Sequence, residues 1–169
     1  MQNYFALFNL PVQFALDEAY LDTAYREVQT KVHPDKFVQA SQAEKRVAMQ
    51  WATRANEAYR VLKDPIKRAE YLCALHGIDV NEKKSMHPDF LMKQMQWREE
   101  LEEIGAEKDK NGLENIIGKL KVLRKTYIQG LDSDFSADLY ENAAQKIREW
   151  MFFDRLDKEA RMLFNDWNN

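Results

Sequence analysis

From Asp17 onward, apolar residues recur at helical spacing almost without interruption, which confines the chain to helices packed on helices. Leu21, Ala24, Tyr25, Val28 and Val32 form a first stripe, with Asp17 placed as N-cap. His33-Pro34-Asp35 ends that helix, because the residue before a proline is pushed out of the α region. A loop to about Ala40 follows. Ser41 and Glu44 make a capping-box pattern that opens a second long helix, whose expected buried stripe is Val47, Trp51, Ala55, Ala58, Tyr59 and Leu62. Asp64-Pro65 starts a third helix, with Asp64 as N-cap and Pro65 at its first position, and Gly77 ends it after His76. Residues 77–86 are polar and aperiodic and read as a linker. Helical patterns then cover about 88–107, 112–130 and 136–166. The expected fold is all-α: an N-terminal helical domain over 1–76, a linker over 77–86, and a C-terminal three-helix bundle over 87–169, antiparallel because its loops are short.

Composition removes the competing classes. Five Gly and four Pro in 169 residues are too few for the turns of a β-sandwich or barrel. A hydrophobic fraction of 45% is too high for a disordered chain. Cys73 stands alone, so neither an internal disulfide nor a Cys-based zinc or iron–sulfur site forms within one chain, and a buried, inert thiol is expected. His33, His76 and His87 lack metal-ligand spacing, so no metal or cofactor is expected. A net charge of −3 argues against a partner held by bulk charge, such as nucleic acid. No stretch approaches the roughly 20 apolar residues of a membrane span, and the start MQNYFALFNL has no basic leader region; a cytoplasmic protein is expected. A nucleophile with a base and a glycine-rich phosphate loop are both missing, which points away from an enzyme.

His33-Pro34-Asp35 is the most informative tripeptide, because of its flanks. Tyr25 and Arg26 lie eight and seven positions before His33, Lys31 lies two before it, and Lys36-Phe37 follows directly. At about 100° per residue, Arg26, Gln29, Thr30 and His33 share a face beside the apolar stripe. That face stays in solvent, Pro34 stiffens the turn, and Asp35 caps locally or accepts hydrogen bonds from a partner's arginine. A second copy, His87-Pro88-Asp89, lacks the preceding Tyr-Arg helix. It reads as a helix start, with Pro88 in the first turn and Asp89 favoured by the macrodipole.

With its flanks, the first tripeptide resembles that of a J domain, the module that stimulates ATP hydrolysis by heat-shock ATPase chaperones of the DnaK kind. The resemblance implies a helical hairpin with the His-Pro-Asp loop at its tip and a chaperone-binding surface of His33, Pro34, Asp35, Arg26, Lys31 and Lys36. The helix bearing Arg26 and Lys31 also carries Asp17, Glu18, Asp22 and Glu27, for a net −2, where many J domains are basic. The acids crowd its N-terminus and the cations lie nearer His33.

The whole chain is similar, in order, to HscB-type co-chaperones of iron–sulfur cluster assembly, in their bacterial form. The likeness rests on Tyr4-Phe5-Ala6-Leu7-Phe8-Asn9-Leu10-Pro11, on His33 to Phe37, on Asp64-Pro65 through Arg68-Ala69-Glu70-Tyr71-Leu72, on Leu75-His76-Gly77, and on Phe90-Leu91-Met92 through Arg98-Glu99-Glu100-Leu101. It implies an L-shaped, non-enzymatic protein whose J domain engages the specialised chaperone HscA and whose C-terminal bundle binds the iron–sulfur scaffold protein. The alternative is a J-domain adaptor for a different client.

The wheel of the segment from Phe90 shows a binding face of its own. Phe90, Trp97, Leu101 and Ile104 lie within about 60° and can form a core. Leu91, Met92 and Met95 cluster on the opposite side near Glu99 and Glu103, and methionine adapts its shape to partners. On the last helix, Leu139, Ala143, Ile147, Trp150 and Phe153 share a face from which Phe152 points away. By resemblance, the scaffold-binding surface is Leu91, Met92, Met95, Gln96, Glu99, Glu103 and Phe152.

Overall fold

The computed structural model describes residues 2–169 and divides into two compact helical units, the first ending at His76 and the second comprising Gly77–Asn169. Seven α-helices and one 3-10 turn account for its regular structure, with no strand among the described residues.

In the first unit, α1 is Tyr4–Leu7, α2 is Glu18–Val32, α3 is Gln42–Lys63 and α4 is Pro65–Leu75; a 3-10 turn over Pro34–Phe37 joins α2 to α3. The expected caps are all made. Asp17 accepts from the amides of Ala19 and Tyr20, Ser41 and Glu44 bond reciprocally, and Asp64 accepts from those of Ile66 and Lys67. The α2–α3 hairpin is held by the stacked rings of Tyr25 and Tyr59, 4.1 Å apart, and by a polar clamp at its open end. There Asp22 accepts from the Tyr59 hydroxyl at 2.8 Å and from Lys63 Nζ at 2.9 Å. Those two bonds hold the Asp22 carboxyl below the usual carboxylate range. The short α1, which the periodicity did not announce, seats Phe5 and Phe8 in the core and stacks Tyr4 on Tyr71. Arg68 is buried, with Nη1 donating to the Leu62 carbonyl and its guanidinium over the Phe14 ring.

The buried stripe of α3 is Ala48, Ala55, Ala58 and Leu62. Val47 and Trp51, expected inside, are exposed, and Tyr59 is half-buried. The helix packs through its small residues, which lets neighbouring backbones approach and turns the bulkier side chains to the flanks. Cys73 is buried as expected, and His76 caps α4 with Nδ1 2.8 Å from the Leu72 carbonyl.

In the second unit, α5 (Pro88–Glu107), α6 (Lys110–Ser136) and α7 (Tyr140–Asn168) pack around Leu101, Ile104, Leu113, Ile116, Ile147 and Leu156. An aromatic cluster of Phe90, Trp97, Tyr127, Trp150, Phe152 and Phe153 fills one part of this core. α6 runs six residues beyond the expected end at 130. Gly130 does not stop it, because the Lys146 side chain of α7 lies where a glycine Cβ would be and reaches Asp134, while Leu131 and Phe135 bury the added turns.

Two expectations need correction here. The segment 77–86 is no free linker: Val80 is buried, and buried Arg148 donates to the carbonyls of Val80 and Asp79. Phe152 does not point away from the core. It is 9% exposed and packs edge-on against Phe90 and Phe153, because α7 is covered over a wider arc than one stripe.

Candidate functional site

The first surface is the solvent face of α2 and the turn beyond it. Arg26, Lys31, His33, Pro34, Asp35 and Lys36 are all exposed. Arg26, Gln29, Thr30, His33, Asp35 and Lys36 line one shallow groove, so the structure brings together the face that the periodicity laid out. Thr23, Glu27 and Lys31 extend it along the helix. Thr30 bonds back to the Arg26 carbonyl, and the Gln29 amide donates to the Tyr25 hydroxyl. The groove therefore presents the Arg26 and Lys36 cations beside the His33 ring and the Asp35 carboxylate.

His33 leaves α2 in an extended conformation and caps the 3-10 turn, its Nδ1 accepting from the Asp35 amide at 3.2 Å. An imidazole that accepts at Nδ1 carries its proton on Nε2 when neutral, so a donor points outward from the turn. The Asp35 carboxylate lies 3.6 Å from the same Nδ1 and is almost fully exposed. His87 repeats this geometry: its Nδ1 accepts from the Asp89 amide at 3.1 Å, and its φ and ψ of −60° and 140° match the −61° and 135° of His33. Both tripeptides start helices, and local geometry does not tell them apart. What differs is the element in front: a 15-residue helix with Arg26 and Lys31 precedes His33, whereas irregular backbone precedes His87.

The second surface is one side of α5. Leu91, Met92 and Met95 are 46%, 60% and 63% exposed, although three apolar side chains in two turns would ordinarily be buried. Gln96, Glu99 and Glu103 continue the stripe and are exposed. The opposite side of α5 buries Phe90, Leu101 and Ile104, with Trp97 half-buried. Phe152 lies under this helix through its contact with Phe90 and is not part of the exposed stripe.

Beside the core of α5, Glu149 is half-buried and accepts a hydrogen bond from Tyr127. Burial pushes its carboxyl above the usual range against the pull of Lys146 and Lys93, and burial likewise keeps the Tyr127 hydroxyl protonated. Sequence patterning missed this pair, and it missed a recess on α3 lined by Arg46, Met49, Trp51 and Arg54. Trp51, which lines the recess, was read as part of the buried stripe of α3.

Among the described residues no group of three or more His, Cys, Asp or Glu could hold a metal ion, and no helix is long and apolar enough to cross a membrane.

Comparison with known proteins places both surfaces in recognised modules. Residues 3–71 match the DnaJ domain family, and residues 86–161 match the family described as the HSCB C-terminal oligomerisation domain. A co-chaperone protein HscB homolog of Burkholderia multivorans is 47% identical over 160 residues, covering 94% of this chain and 91% of the relative. The structure of chaperone HscB from Vibrio cholerae superposes with a TM-score of 0.85 at 37% identity, over 98% of this chain and 99% of the other. The crystal structure of human co-chaperone protein HscB gives a TM-score of 0.89 at 30% identity, over 96% and 82%.

Proposed function

The chain belongs to the HscB family of J-domain co-chaperones, and from that premise we propose that it carries the iron–sulfur cluster scaffold protein to an HscA-type chaperone and stimulates that chaperone's ATP hydrolysis. A J domain implies an Hsp70-type partner; HscA and the scaffold are the finer part of the proposal. The single observation behind it is that one chain bears two exposed, chemically different surfaces on separate helical units.

In this proposal the unit ending at His76 presents His33, Pro34 and Asp35 as the trigger, while Arg26, Lys31 and Lys36 add cationic contacts to the chaperone. Charge on such an exposed face acts mainly on encounter rate and orientation. In the second unit, Leu91, Met92 and Met95 supply apolar contact to the scaffold, and Gln96, Glu99 and Glu103 form a polar and acidic continuation. Phe152 supports that face from beneath, by fixing Phe90 and so the seat of α5. The chain performs no bond chemistry itself and acts in the cytoplasm. It raises the concentration of scaffold at the chaperone, because one molecule holds both.

The test is the steady-state ATPase rate of HscA with this protein alone, with scaffold alone and with both. Stimulation by the protein, increased further by scaffold, is expected. Stimulation that ignores scaffold would favour the alternative of a J-domain adaptor for a different client.

A further inference from the structure

We infer that the recess on α3 is a third interaction surface, one that docks an acidic peptide segment of a partner protein, with carboxylates on either side of an apolar anchor. It stands apart from the chaperone and scaffold surfaces proposed above, because none of the residues lining it belongs to either.

α3 buries Ala48, Ala55, Ala58 and Leu62 and leaves larger apolar side chains outside. Val47, Met49 and Trp51 are 52%, 70% and 43% exposed, all within a turn and a half of the helix. Single exposed apolar residues are ordinary on a protein surface, but a cluster beside a concavity marks a contact surface. The concavity measures about 930 Å³ and is lined by Arg46, Met49, Gln50, Trp51 and Arg54 among others. Trp, Met and Arg are the residue types enriched at the centres of protein–protein interfaces, where Trp and Arg also carry much of the binding energy.

The charges decide what fits. Arg54 is held in place: its Nη2 donates to the Gln2 carbonyl, and its guanidinium lies 5.4 Å from the centroid of the Tyr4 ring. Glu57 lines the same recess and already accepts from the Tyr4 hydroxyl. Arg46 is exposed and makes no hydrogen bond or ion pair among the described residues. Arg46 and Arg54 stand at i and i+8, about 12 Å apart along the helix axis, with Met49 and Trp51 between them. The complementary ligand carries a carboxylate for each arginine, since guanidinium and carboxylate pair in a charge-assisted fork, and an apolar side chain between the two. A continuous polyanion fits worse, because Glu57 would face its phosphates and the chain as a whole carries a net charge of −3.

The probe is a synthetic peptide, blocked at both ends, with a pair of glutamates on each side of a Leu-Phe anchor. It is titrated into the full-length protein and followed by backbone amide chemical shifts. Saturable shifts centred on residues 46–57 and on Gln2 and Tyr4 are expected. Replacing the peptide's glutamates by glutamine should weaken binding by about tenfold or more, as should Arg46→Glu and Trp51→Ala in the protein. Arg46 and Trp51 are both exposed, so the variants should keep the wild-type unfolding midpoint, and Arg46→Glu decides the matter if Trp51→Ala fails to fold. No saturable shift at millimolar peptide, shifts centred on the Arg26 groove, or equal affinity for the glutamate and glutamine peptides would overturn the inference. Tighter binding of oligothymidine than of the acidic peptide at the same salt would assign the recess to nucleic acid and overturn it as well. Self-association of the wild-type protein in sedimentation velocity, dispersed by Arg46→Glu, would make a second copy the occupant, with the same consequence.

Discussion

The Phe152 ring meets the Phe90 ring edge-on, with centroids 6.2 Å apart and planes 86° to one another. The contact joins α7 to the first turn of α5, one residue before the exposed Leu91 and Met92. A side chain expected to touch a partner is thereby a support for the exposed pair beside it.

Phe152 and the Leu91–Met92 pair should therefore separate in experiment. Phe152→Ala is expected to lower folding stability by about 3–5 kcal/mol, as for other large buried aromatics. Leu91→Ala and Met92→Ala should each change it by less than about 0.5 kcal/mol while costing about 2 kcal/mol of scaffold affinity if they are hot spots. Urea unfolding of the free variants and calorimetry against the scaffold give both values. A Phe152→Ala protein as stable as wild type would contradict the packing described.

His33→Gln is expected to abolish stimulation of the chaperone ATPase, and His87→Gln to leave it nearly unaltered. Both rings cap the turns that follow through Nδ1, so loss of the cap is common to the two variants. Only His33 stands at the end of the Arg26 groove. Circular dichroism establishes that both variants fold. Equal loss of stimulation would show that the groove does not distinguish them.

Separate pieces covering 1–76 and 77–169 should fail to reproduce the potency of the intact chain in scaffold-dependent ATPase assays, because the tether is gone. A second piece that begins at residue 85 should also be less stable than one that begins at 77, by about 1.5–3 kcal/mol, since it lacks the buried Val80 side chain. Dose–response curves and thermal melts check the two statements. Equal melting of the two pieces would mean that Val80 contributes nothing to the unit.

Stability near neutral pH should rise in Glu149→Gln. Burial raises the folded-state pKa of Glu149, so the folded protein binds this proton more tightly than the unfolded chain. The contribution of the neutral carboxyl is complete below the unfolded value of about 4.3, and is lost as pH rises through the folded value. Glutamine stays neutral and can still accept from Tyr127. Unfolding midpoints for the two proteins should converge toward pH 4 and separate toward pH 7. A separation that grows toward acid would reverse the sign.

The helix boundaries were legible because they depend on neighbours in sequence. Asp17, Ser41 with Glu44, and Asp64 with Pro65 act within one turn, and each caps the helix that its pattern predicts. The exposed face of Arg26, Thr30 and His33 was legible for the same reason, since a helix sets those directions by itself. So was the stripe of Leu91, Met92 and Met95, because Phe90, Leu101 and Ile104 leave α5 one clear buried side.

Periodicity measures the angle between two side chains around a helix but carries no account of how many neighbours that helix will have. Met49, Val47 and Trp51 are exposed because α3 turns its alanines inward, a choice that depends on how closely its neighbours approach. Phe152 is buried beside Phe153 because α7 packs against both α5 and α6. The segment 77–86 has no period of its own and reads as a linker, and only folding brings Arg148 to its carbonyls, 68 and 69 residues earlier in the chain. Local caps and directions were thus settled by the amino-acid sequence, whereas the extent of burial around each helix, and with it the line between supporting and exposed side chains, was decided by tertiary packing.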